Sequence, residues 1–300
     1  MNIGNLFAIN GKIETEALSV VCVQYAPIGA QSSGEVAENT ETVLDFIDQS
    51  VSAFPGVDLI VFPEACIQGF APVNYEDAIL DADSPHIERI KERCRVLSVW
   101  GVFNFLLWTK ERLCYENTAY VINDLGETIY TYVKKYPWIP FENSRPGTCI
   151  DTCEGPKGAK LGIIICADGD YSEAWRDAAV SGANIIVRPA HYIDPFQNAW
   201  EITNRAGAFF NQVYVVAPNT SGMAKNETRS CFGRSMILGP DGNIITEGAA
   251  GTVCLIKADL YPGIIDKMHE QAVHGNPLFS YDHRGASCPE ESGRREGLKK

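Results

Sequence analysis

The sequence predicts an α/β protein, a four-layer αββα sandwich of two mixed sheets with helices on the outer faces. Three observations predict it. Apolar runs of strand length alternate with segments of helical periodicity. The order strand, helix, strand, helix, strand, hairpin occurs twice along the chain, with no obvious identity between the halves. The 300 residues are 45% hydrophobic, enough to fill a large core. Strands interleaved with helices form sheets with one helix-covered face, and two such sheets can close their remaining faces on each other.

The elements follow in order. Leu18 to Gln24 is apolar and β-branched and reads as a buried strand. From Val36 to Phe54, Val36, Val43, Leu44, Ile47 and Val51 recur at helical spacing. Leu59 to Phe62 is a short buried strand that stops at Pro63-Glu64, and Ser84-Pro85 is a helix opening, an N-cap followed by proline in the first turn, leading to about Leu97. Val99 to Trp108 is a strand, and Asn117 to Ile122 with Thr128 to Val133 is a hairpin around Asn123-Asp124-Leu125-Gly126. The second half gives a strand at Lys160 to Ile165, a helix at Ser172 to Val180 closed near Gly182, and a strand at Asn184 to Val187. A helix at Trp200 to Asn211, a strand at Val213 to Ala217, a hairpin pairing Ser235 to Leu238 with Ile244 to Glu247, and a last strand at Val253 to Ala258 complete it. The expected organisation is an extension over 1–17, one domain over 18–285, and a polar, mobile tail over 286–300.

The formal net charge is −13, which repels phosphate backbones and argues against a nucleic-acid partner. No apolar stretch has the length to span a bilayer, so no membrane partner is expected. Met1 to Gly11 lacks the basic and apolar regions of a secretory leader. The ten cysteines form no CxxC pair and several sit in apolar strands. These features point to a reducing cytoplasm and free thiols. Cys149 and Cys153 could form half a metal site, but no second half accompanies them. Neither a metal nor an organic cofactor is expected.

Three positions could carry chemistry. Cys166 ends an apolar strand and is followed by Ala167-Asp168-Gly169-Asp170 and then a helix. A sulfur there sits at a sheet rim, where a helix N-terminus favours thiolate and the Ala167 amide could meet an oxyanion. The same pattern also fits a buried core cysteine. Glu64 follows a buried strand, where partial desolvation would suit a general base; a solvated turn glutamate fits equally. Lys134 and Lys135 end a strand whose alternation sends them to opposite sides, so one could face a site while the other meets solvent. The stiff aromatic stretch Pro137-Trp138-Ile139-Pro140 suits a pocket wall or a core. No GxSxG, Walker or GxGxxG motif is present.

Taken in order, these pieces resemble the nitrilase (carbon–nitrogen hydrolase) superfamily. The match is Phe62-Pro63-Glu64, then Lys134 ahead of Pro137-Trp138-Ile139-Pro140-Phe141-Glu142, then Ile165-Cys166-Ala167-Asp168-Gly169-Asp170-Tyr171. The run Tyr171 to Asp177, followed by Gly182 to Arg188, is most similar to the aliphatic amidase and formamidase branch. The resemblance implies a Glu–Lys–Cys triad. Glu64 matches the general base, Lys134 the oxyanion lysine, Cys166 the nucleophile, and Glu142 a second glutamate that positions substrate and water. Trp138 matches the aromatic wall of an amide pocket, and Ala65, Ala167, Asp168, His191 and Tyr192 fall beside it.

The resemblance further implies a small-molecule amide substrate, a primary aliphatic amide cleaved to acid and ammonia through a thioester, and a homo-oligomer of even number, with Tyr261 to Gly285 extending across a subunit contact. The chain departs from the amidase pattern at Ala65, where a tyrosine is usual, and at Pro189-Ala190-His191-Tyr192, where a Gln-Gly-Tyr step is usual. Alternatives on the same triad are a nitrilase, an N-carbamoyl amidohydrolase and an acyl transferase; a non-catalytic scaffold of the same fold is the alternative from another class. Ala167-Asp168 argues against nitriles, and Gly169-Asp170 against carbamoyl substrates.

Overall fold

A computed structural model describes residues 16–71 and 75–271, with the side chains of 269–271 excepted. The extension before residue 16, the tail over 286–300 and most of the stretch expected at a subunit contact lie outside the described residues.

The first sheet takes β1 (Leu18–Gln24), β2 (Leu59–Val61), β3 (Trp100–Trp108), β4 (Tyr115–Ile122) and β5 (Thr128–Val133) in that spatial order. β1, β2 and β3 are parallel, and β4 and β5 return antiparallel. The second sheet repeats this with β7 (Lys160–Ile163), β8 (Ile185–Val187) and β9 (Tyr214–Ala217) parallel and the hairpin β12 (Met236–Leu238) and β13 (Ile244–Glu247) antiparallel. The twofold order read from the sequence is thus the topology of the two sheets.

One strand of these sheets escaped the sequence, and for the expected last strand its partner did. β6 (Thr152–Glu154) is a short, polar, half-exposed edge beside β7. β14 (Cys254–Leu260) leaves the second half and pairs antiparallel with β1, so the last strand ties the two halves together. The helices α1 (Ser33–Ala53) and α4 (Gln197–Asn211) start earlier than their apolar patterns do. For α1 the reason is the cap: the Ser32 hydroxyl accepts from the Glu35 amide, and the Glu35 carboxylate accepts from the Gln31 amide at 2.9 Å. The helix α2 (Pro85–Leu97) has the expected Ser84 cap with proline in its first turn, and α3 spans Ser172–Val180. A last helix, α5 (Pro262–Gln271), follows β14.

Strand alternation sorts the layers. Val20, Cys22, Leu59, Val61, Val102 and Val121 of the first sheet pack with Ile163, Ile186, Val216 and Ile237 of the second in one buried cluster. Val21, Val23 and Ile60 point the other way, against Val36, Val43, Ile47, Ile87 and Ile90 of α1 and α2. On the far side Ala174, Trp175, Ala178, Trp200 and Ala208 of α3 and α4 cover the second sheet. The layers therefore run helix, sheet, sheet, helix. Each fully buried Val, Leu or Ile in these interfaces contributes roughly 1.5–3 kcal/mol relative to exposure.

Candidate active site

In open α/β sheets, the C-terminal ends of parallel strands carry the sites. Here β2 delivers Glu64, β7 delivers Cys166 and β8 delivers His191 at such ends, while β5 contributes Lys134. All four line one cavity of about 330 Å³, together with Glu142, Trp138, Phe70, Phe141, Ile193, Glu227 and Arg229. A smaller lobe of about 120 Å³ adjoins it, lined by Cys166, Ala167, Asp170, Tyr192 and Phe196 as well as Trp138, His191 and Ile193.

At the base of the cavity a buried ammonium lies between two carboxylates. Lys134 Nζ is 2.7 Å from Glu64 Oε1 and 2.7 Å from Glu142 Oε2. Asn117 Nδ2 donates to Glu64 Oε1 and Glu142 Oε1, each at 2.8 Å, and its own oxygen accepts from Asn104 Nδ2 at 2.8 Å. Burial pulls the pKa of Lys134 down, but the two carboxylates outweigh it, so the amine is held well above the ordinary lysine range. For Glu142, burial pushes upward and Lys134, with its hydrogen bonds, pulls further down, leaving the carboxyl below its ordinary range.

The two glutamates are not equivalent. Glu142 accepts from Asn117 and Ser144 on Oε1 and from Lys134 and the Trp138 amide on Oε2, which fills the four lone-pair positions of a carboxylate. Glu64 accepts from Lys134 and Asn117 on Oε1 but only from the His191 amide, at 2.9 Å, on Oε2. Glu64 keeps a free position and Glu142 does not. In this geometry Glu142, which also lines the cavity, holds Lys134 in place.

Cys166 opens a short 3₁₀ turn, Cys166–Asp170, with φ of 46°, the left-handed region where a side chain is unfavourable. Its amide donates to the Pro189 carbonyl at 2.9 Å. The expected thiolate at a helix N-terminus is not what this geometry produces, because α3 starts only at Ser172. Burial pushes the Cys166 thiol well above its ordinary pKa and the Glu64 charge adds to this, against smaller opposing effects of Lys134 and Arg188. Burial and the nearby Glu64 charge thus both favour the thiol over the thiolate.

The residues expected beside the pocket divide. Trp138 and His191 line both lobes, and Ala167 and Tyr192 the smaller one. Asp168 does not face the cavity: its carboxylate accepts from Tyr132 Oη at 2.7 Å and from the amides of Ile165 and Tyr136, each at 2.8 Å. It ties the cysteine turn to the end of β5, which is why an acidic residue is fully buried there. Ala65 is also buried away from the cavity, at φ of 49°, with its amide bonded to Asn104 Oδ1 at 2.5 Å. Lys135 points outward to Asp177 at 3.0 Å, as strand alternation requires. Sequence reasoning missed Asn117, Glu227 and Arg229. Asn117 lies inside an apolar strand, where a polar side chain at a core position is itself a signal; the other two lie in a loop with none. Among the described residues no three His, Cys, Asp or Glu side chains gather as a metal site needs, and no helix is long and apolar enough to cross a membrane.

Comparison with known proteins agrees with this architecture. The carbon-nitrogen hydrolase family matches residues 19–268. The formamidase of Photorhabdus laumondii is 34% identical over 275 residues, covering 90% of this chain and 80% of that one. The formamidase of Allorhizobium ampelinum is 32% identical, covering 84% and 74%. Among solved structures, Saccharomyces cerevisiae Nit3, a member of branch 10 of the nitrilase superfamily, superposes with a TM-score of 0.77 at 20% identity, covering 89% of this chain and 98% of its own. The amidase from Nesterenkonia sp. AN1 does so with 0.76 at 18% identity, covering 91% and 95%. The chain belongs to the carbon–nitrogen hydrolase family, in the amidase and formamidase branch of the nitrilase superfamily.

Proposed function

We propose that the protein hydrolyses the C–N bond of small primary aliphatic amides to a carboxylic acid and ammonia, through a thioester on Cys166. Formamide, named by its relatives, is the first substrate to test. The observation that carries this is the inequality of the two glutamates: one buried carboxylate with a vacant lone pair beside a protonated sulfur, the other saturated and holding the ammonium.

The reaction then runs in two halves. Glu64 Oε2 takes the proton of Cys166, and the sulfur attacks the amide carbon. Lys134 and the Ala167 amide hold the oxyanion, and Glu64 returns the proton to the departing nitrogen as ammonia leaves. Glu64 next takes a proton from water, the hydroxide attacks the thioester, and the acid departs as the sulfur recovers its proton. Glu142 and Asn117 keep Lys134 charged and in place throughout. A cytoplasmic location and a homo-oligomeric assembly belong to the same proposal, and fractionation and light scattering check them.

The test is ammonia release from formamide and acetamide by the wild type and by Cys166→Ala. The variant should retain its circular dichroism and lose turnover; near-normal activity in a folded Cys166→Ala protein overturns the proposal.

A further inference from the structure

We propose that Arg229 gives the cavity a second recognition point, for a carboxylate at the far end of the substrate, so that the site accepts short primary amides that carry a distal carboxylate. This rests on the amidase reading of Cys166 and extends it to substrate class.

The loop bearing Arg229 runs between two short paired strands, β10 (Ser221–Gly222) and β11 (Cys231–Phe232), and is anchored along its length. Lys225 accepts from the Gly29 amide at 3.0 Å through its carbonyl and pairs with Glu35 at 3.0 Å, while Asn226 Nδ2 donates to Glu35 at 2.9 Å. Glu227 Oε1 accepts from the Phe70 amide at 3.1 Å, and the Ser230 carbonyl accepts from the Asp194 amide at 2.9 Å. Glu227 is received by two glycines: a Cβ on Gly29 would stand 3.0 Å from its Cγ, and one on Gly69, at φ of 57°, would stand 3.0 Å from Oε1. Thr228 and Arg229 then project over the cavity that holds Cys166.

The charges lining this cavity are partnered, with one exception. Lys134 is shared between Glu64 and Glu142. Glu227 Oε2 lies 3.2 Å from His191 Nε2. The Arg229 guanidinium instead lies over the Phe141 ring at 3.9 Å and the Trp138 ring at 5.4 Å, and no carboxylate among the described residues pairs with it. Stacking uses the face of a guanidinium and leaves its N–H edge open, the edge that takes a carboxylate in two parallel bonds. The space agrees: about 330 Å³ is metabolite-sized, and a one-carbon amide occupies a small part of it. So does the field. The chain carries a net charge of −13, and two carboxylates flank one ammonium beside the nucleophile. An anionic substrate therefore needs a local cation, placed away from Cys166.

Two probes of one shape test this: succinamate, and 4-methylpentanamide, in which an isopropyl group replaces the carboxylate. Wild type should show kcat/KM for succinamate at least ~10-fold above that for the isostere. In Arg229→Met the ratio should collapse towards one, chiefly through KM, and Arg229→Lys should recover part of it. Calorimetry on Cys166→Ala, with and without Arg229→Met, reads the same subsite without turnover: succinamate should bind the single variant ~10-fold more tightly than the double variant. A wild type that prefers the isostere, or a ratio unmoved by Arg229→Met, overturns the inference while leaving amide hydrolysis intact. Arg229-dependent binding in a protein that hydrolyses no amide supports the subsite and overturns the amidase reading instead.

Discussion

Arg188 donates twice to the backbone carbonyl of Cys166, from Nε at 2.9 Å and from Nη2 at 2.7 Å. The arginine is fully buried, and its other bonds go to Thr203 at 2.8 Å, Asn204 at 3.1 Å and Asp170 at 3.1 Å. Trp175, Tyr192 and Trp200 surround its guanidinium. A Cβ on Gly169 would lie 2.2 Å from it, so the turn after the nucleophile must pass there without a side chain. The left-handed backbone of Cys166 costs about 1–2 kcal/mol, and two charge-assisted bonds to its carbonyl offset that cost.

Arg188→Met should therefore lower kcat on the amide substrate by ~10-fold or more with a smaller change in KM, because it loosens the sulfur and reaches the pocket wall only through Asp170 and Tyr192 of the smaller lobe. Arg188→Lys should recover only part, since an ammonium cannot donate along two fixed directions. Steady-state kinetics with a thermal melt separate this from misfolding. A folded Arg188→Met protein with wild-type kcat would show that the carbonyl contact does not position the nucleophile.

Asn117 is the neutral counterpart of Lys134, donating to the same two glutamates from the other side. Asn117→Asp replaces a shared donor with a third carboxylate around one ammonium. It should cost about 3–5 kcal/mol at neutral pH, the range for an uncompensated buried charge, and activity should fall with it. Urea denaturation at pH 7 measures this, and stability equal to wild type would contradict the arrangement.

Much of this was legible because it is local or periodic. The Ser84-Pro85 cap, the Asn123 turn and the opposed directions of Lys134 and Lys135 each follow from a short-range rule. Glu64, Lys134, Cys166 and Glu142 were found as an ordered set, since each alone resembles a solvated or core residue. What escaped depends on pairings between distant segments. Nothing in Cys254–Leu260 reveals that its partner is β1. The saturation of Glu142 needs Asn117 from β4 and Lys134 from the end of β5, beside its own neighbours Trp138 and Ser144. Asp168 reads as a pocket residue until Tyr132 and the Tyr136 amide claim its oxygens.

Thiol chemistry offers a check on the resting state. A thiolate nucleophile would be the first cysteine to be alkylated. Burial instead holds the Cys166 thiol protonated, while Cys149 is exposed. A bulky disulfide reagent at pH 7 should therefore label Cys149 before Cys166 among the described cysteines, and iodoacetamide should modify Cys166 faster as pH rises. Peptide mapping by mass spectrometry reads both; labelling of Cys166 first by the bulky reagent would point to a resting thiolate.

The His191–Glu227 pair should write itself into the pH dependence of stability. Burial pulls the His191 pKa down, but Cys231 and Glu227 push it well above the usual imidazole range. A group whose folded pKa is raised stabilises fully below its unfolded pKa, near ~6.5, and loses that contribution as pH climbs through the folded value. Wild type should therefore exceed Glu227→Gln by on the order of 3 kcal/mol near pH 6. The gap should close progressively as pH rises above that window, because the glutamine can still accept from the Phe70 amide but cannot pair with an imidazolium. Chemical denaturation of both proteins across this range measures the gap. Curves that stay parallel would mean that His191 remains neutral when folded and that Glu227 is held by the Phe70 amide and its glycine cradle alone.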